Sequence, residues 1–63
     1  MDPVLELFKE NPDVFLTEEQ ILSVTGLKDL DKKLQELVRS GKLVKIETNK
    51  KSGRKIYYGL KQN

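Results

Sequence analysis

Four cations fall within the six residues Lys50-Lys51-Ser52-Gly53-Arg54-Lys55, with no acid among them. Cations at that density suit contact with phosphate oxygens, an interaction that is blind to base sequence and weakens as salt restores the displaced counterions. A second polar set, Lys28, Lys32, Gln35 and Arg39, recurs at the three- and four-residue spacing that shares one side of a helix. Catalytic chemistry has far less to work with. Histidine and cysteine are absent, which removes the commonest general base, the commonest metal ligands and any disulfide. Ser23, Ser40 and Ser52 have no histidine to activate them. Gly53 stands alone, without the glycine-rich pattern of a phosphate-cradling loop. No catalytic residue, metal site or cofactor is expected, and neither an enzyme nor a small-molecule substrate.

The charge is divided along the chain. Residues 1–31 hold eight acids against Lys9 and Lys28, a net −6, whereas residues 32–63 hold ten bases against Glu36 and Glu47, a net +8. Such asymmetry predicts a molecule with one cationic surface, suited to nucleic acid or to anionic lipid. With 63 residues the chain is long enough for one small domain, of the size that hides roughly 60% of its unfolded surface. No apolar run approaches the ~20 residues of a membrane span and no signal-peptide pattern opens the chain. A single domain over residues 1–63, in the cytoplasm or on the nucleoid and without membrane contact, is the expectation.

The elements that must hold these cations follow from local signals. Asp2-Pro3 is a helix start, and Asn11-Pro12 stops that helix after Val4, Leu5, Leu7 and Phe8. Asp13 to Leu16 reads as an extended connector or a brief strand. Thr17-Glu18-Glu19-Gln20 has the form of a capping box. It opens a second helix whose Ile21, Leu22 and Val24 are expected to be buried, with Gly26 at its end. Leu27, Leu30, Leu34, Leu37 and Val38 form the apolar stripe of a third helix, capped by Lys28 or Asp29 and closed by Gly41. Leu43–Thr48 and Lys55–Leu60 read as strands of an antiparallel hairpin whose tip is residues 49–54. Alternation is expected to turn Val44, Ile46, Ile56, Tyr58 and Leu60 inward and Tyr57 outward. Phe8 and Phe15 are expected in the core.

This order of elements, from about Thr17 to Leu60, resembles the winged helix-turn-helix family of DNA-binding domains. Ile21-Leu22-Ser23-Val24-Thr25-Gly26-Leu27 is similar to the family's second helix and turn. Leu34-Gln35-Glu36-Leu37-Val38-Arg39-Ser40-Gly41-Lys42-Leu43 is similar to its L-x-x-L-x-x-x-G-x-L exit into the hairpin, and Gly53-Arg54-Lys55-Ile56-Tyr57-Tyr58-Gly59-Leu60 to its wing and last strand. The resemblance implies a small α+β fold, with three helices and a C-terminal antiparallel wing of two or three strands. It also implies double-stranded DNA as the partner, in transcription regulation. Lys28, Lys32, Gln35 and Arg39 would meet base edges or phosphates in the major groove, and Lys50, Lys51, Arg54 and Lys55 would meet the backbone. Asp29 and Asp31 depart from the usual pattern. They are expected to be paired internally, Asp29 with Lys32 or Lys33 and Asp31 with Gln35.

A single winged helix makes few contacts, so tight specific binding calls for self-association, repeated sites or a fused partner. The alternative partner is a protein, with the acidic half of the chain as the working surface of an assembly module. Single strands and RNA are disfavoured, because Tyr57 is the only aromatic expected on the outside.

Overall fold

The structure, a computed structural model, describes residues 2–62. It is an α+β arrangement of three helices, α1 (Pro3–Glu10), α2 (Glu18–Thr25) and α3 (Leu30–Arg39), followed by an antiparallel hairpin of β1 (Leu43–Lys50) and β2 (Gly53–Leu60). Local chemistry sets the helix ends. Asp2 caps α1 by accepting from the N–H groups of Val4 (3.0 Å) and Leu5 (3.3 Å). The capping box of α2 is complete: Gln20 N–H donates to Thr17 Oγ1 at 3.2 Å, and Thr17 N–H to Gln20 Oε1 at 2.9 Å. Gly26, at φ +62°, ends that helix in the left-handed conformation that glycine adopts without steric cost.

The third helix starts at Leu30 behind Asp29, one of the two expected caps. Leu27 and Lys28 precede it, and its N-cap Asp29 is itself left-handed at φ +49° with no side-chain cap bond. At its other end Lys42 N–H donates to Leu37 O (2.9 Å) and Gly41 N–H to Val38 O (3.1 Å). These bonds close the helix as a Schellman turn around Gly41.

The strands reach further than their composition predicts. Lys50 pairs with Gly53, which leaves only Lys51 and Ser52 as the turn. Leu16 adds a one-residue third strand: its N–H donates to Tyr58 O at 2.9 Å, and Tyr58 N–H donates back at 2.7 Å.

Val4, Phe8, Ile21, Leu30, Leu34, Leu37, Leu43 and Tyr58 form the core. Ile56, Tyr58 and Leu60 lie on its side of β2, as alternation predicts, but the phase expected for β1 is off by one residue. The register opposes Leu43 to Leu60, Lys45 to Tyr58 and Glu47 to Ile56. Cross-strand partners share a face, so Leu43, Lys45 and Glu47 point inward, while Val44 and Ile46 point outward with Tyr57 and Gly59. The cause is the small core, which covers only the base of the hairpin. Beyond Leu43, the inward positions of β1 are already in water and tolerate charge.

Two further expectations of burial fail. Leu22 and Val24 are 47% and 66% exposed: they lie on opposite flanks of the buried Ile21, with Val24 and Ile56 in a groove between α2 and β2. Phe15 is 49% exposed. Its ring lies on the outer face of the hairpin against Gly59, where a missing side chain makes room.

Candidate nucleic-acid interface

Helix α3 has two polar flanks with different commitments. At about 100° per residue, Lys33 falls on the side toward α1, while Gln35, Val38 and Arg39 fall on the side toward the hairpin. Lys33 is tied down: its Nζ lies 3.0 Å from Asp2 Oδ2. Burial opposes the Asp2 charge, but the Lys33 hydrogen bond, the N–H groups of Leu5 and Val4 and the lysine charge together hold its carboxyl below the ordinary value. The same hydrogen bond raises the Lys33 pKa. The expected pairing of Asp29 with Lys32 or Lys33 is therefore not made. Asp29 is the left-handed N-cap of α3 and accepts from the Lys33 N–H through its carbonyl oxygen at 3.2 Å, but the Lys33 ammonium is taken by Asp2.

The other expected pairing is present. Gln35 Nε2 donates to Asp31 Oδ2 at 3.3 Å and to Oδ1 at 3.4 Å. Lys32, Gln35 and Arg39 are exposed along the outward arc of α3, and Lys28 is exposed in the turn before it.

A groove between α3 and the hairpin is lined by Gln35, Val38, Arg39, Lys45 and Tyr58. Two separated segments thus contribute Arg39 and Lys45 to one concavity whose lining contains no carboxylate. Acids stand near one edge of it. Burial raises the Tyr58 pKa, and the Glu18 and Asp31 charges push the same way. The phenol therefore stays neutral and remains able to donate a hydrogen bond.

Lys45 was not legible as a site residue from composition, because its position depends on the strand phase. Once Leu43 is known to be the inward residue at the base of β1, Lys45 follows two places on.

The hairpin cations do not share one face. Arg54, opposite Asn49, lies on the inner side, and its Nη1 is 3.8 Å from Glu47 Oε2. Lys50 and Lys55 lie on the outer side, opposite Gly53 and Thr48, and Lys51 occupies the turn. Between α2 and β2 runs a wider groove with Glu18 and Glu19 on one wall and Arg54 and Lys55 on the other.

Among the described residues no cluster of acids could hold a metal ion, and no helix is long and apolar enough to cross a membrane. Comparison with protein-family models, curated proteins and solved structures found no match.

Proposed function

We propose that this chain is a winged helix-turn-helix domain that binds double-stranded DNA in transcription regulation, with α3 in the major groove and the hairpin against the backbone. The groove in which Arg39 and Gln35 of α3 meet Lys45 of the hairpin carries the proposal. A helix ~10–12 Å across fits a major groove ~12 Å wide. A phosphate beside that helix would meet Lys45 and Arg39 together, with the neutral Tyr58 hydroxyl as a further donor. Lys32 and Gln35 would face the base edges, while Lys28 at the entry to α3 and Lys51 and Arg54 on the wing would take flanking phosphates. The deciding experiment is a salt titration of binding to a duplex of random sequence, followed by fluorescence anisotropy. Affinity should fall as a steep power of salt, with a slope of about 0.9 for each phosphate contacted. Absence of binding at low salt defeats the proposal.

One observation favours the runner-up, a protein-assembly module. Val24 stands exposed on α2 in one groove with Glu18 and Glu19, an apolar and acidic surface that a polyanion has no use for. A duplex that fails to bind at low salt turns attention to that surface.

A further inference from the structure

The outer face of the hairpin, turned away from α3, has a composition that the duplex role leaves unused. Along β2 it presents Gly59, Tyr57 and Lys55, and along β1 Val44, Ile46, Thr48 and Lys50. Phe15 covers the Gly59 position with half of its surface in water. Tyr57 lies two residues further along the same strand, a step of roughly 7 Å at ~3.4 Å per residue. Two aromatic rings therefore stand side by side on a sheet surface, and Lys55 and Lys50 follow them toward the tip.

Neither strand places a carboxylate on this face: Glu47, the only acid in the hairpin, is on the inner side. Three acids stand at its borders: Asp13 is held by the Gln62 amide at 3.2 Å, and Glu18 and Glu19 of α2 form the far wall of the groove that Tyr57 and Lys55 line.

We infer that this face is a stacking platform for single-stranded DNA, with bases on Phe15 and Tyr57 and the phosphates following Lys55 and Lys50. The charge selects the occupant. A purely apolar protein surface would be served by Phe15, Val44, Ile46 and Tyr57 alone, whereas aromatic rings continued by Lys55 and Lys50, neither of them in an ion pair among the described residues, match the alternation of bases and phosphates in a strand. A duplex does not use such a surface, because its bases are already stacked. Stacking and phosphate contact need no 2′-hydroxyl, and the Thr48 hydroxyl already donates to Lys55 O at 3.4 Å. Deoxyribose therefore suffices.

The test uses fluorescein-labelled dT10, a random duplex and rU10 at low salt, with anisotropy as the readout. Phe15→Leu and Tyr57→Leu keep an apolar cover but remove the ring, and thermal melts verify that each variant folds. Each should bind dT10 roughly tenfold more weakly or worse, while duplex affinity stays within about twofold of the parent. Replacing Lys50 and Lys55 by Gln should flatten the salt dependence of dT10 binding.

Four outcomes overturn the inference. The first is no dT10 binding at low salt. The second is equal loss of dT10 and duplex in the ring variants, which means one shared surface. The third is rU10 bound more than tenfold tighter than dT10. The fourth is sedimentation in which the parent dimerises, Tyr57→Leu is monomeric and dT10 binding is unchanged, which assigns the patch to self-association. Failure here leaves the duplex titration of α3 and Lys45 standing, because that surface is on the other side of the hairpin.

Discussion

The Phe15 ring rests against Gly59 so closely that a methyl group at residue 59 would overlap two of its carbons. Gly59 has no positive φ, so an alanine there meets a steric obstacle and no backbone one. Gly59→Ala should cost about 1–3 kcal/mol as the ring is pushed aside. In a Phe15→Ala background the same change should be near neutral. A double-mutant cycle from denaturant melts measures the coupling. Equal costs in both backgrounds would mean that Phe15 does not occupy this position.

Asp2 joins two distant parts of the chain, as cap of α1 and as partner of Lys33 on α3. Its folded pKa lies below that of the unfolded chain, ~3.9 for Asp. The sign follows: its stabilising contribution is present in full above pH ~4 and is lost as pH falls through the lowered folded value. Asp2→Ala should destabilise by about 0.5–2 kcal/mol at neutral pH. The difference from the parent should shrink as the pH drops below the unfolded value. Thermal melts from pH 7 to pH 2 measure this, and a pH-independent difference would remove the charge from the explanation.

If the groove between α3 and the hairpin seats a phosphate, Lys45→Gln and Arg39→Gln should each weaken duplex binding across all sequences. Each should also lower the salt slope by about 0.9. Both side chains are exposed, so the melting temperature should barely move. Lys33→Gln serves as the comparison: Lys33 is engaged with Asp2 on the opposite flank, so its loss should leave the salt slope unchanged. Anisotropy titrations at four or five salt concentrations are sufficient.

Asp31 holds the Gln35 amide through an i, i+4 hydrogen bond and brings a negative charge to the proposed DNA surface. Asp31→Ala should do two things at once. It should tighten binding to a random duplex severalfold by removing repulsion, and it should reduce discrimination at the base pair under Gln35 by freeing the amide to rotate. Competition among duplexes that differ at single positions reads both effects. A uniform loss of affinity would mean that Asp31 supports the fold of α3 and does not tune its contacts.

The features determined by the sequence alone are those made by residues close together in it. The Asp2 cap, the Thr17–Gln20 box, the Gly26 and Gly41 helix ends and the Asp31–Gln35 pair all join groups within five residues. The apolar stripe of α3 and the inward phase of β2 are repeats that any chain with this spacing must present to a core. What only the tertiary structure decided are contacts between distant segments. The inward phase of β1 depends on the opposition of Leu43 to Leu60, and with it came Lys45 as a candidate phosphate ligand. The capture of Lys33 by Asp2 required α1 and α3 to meet. The exposure of Phe15 required Gly59, forty-four residues later, to leave space beneath it. A strand's alternation specifies two faces but not which one the core will cover. In a domain this small the core reaches only the first inward residue of β1, so cross-strand register, and not the hydrophobicity of each residue, settles which side chains meet solvent.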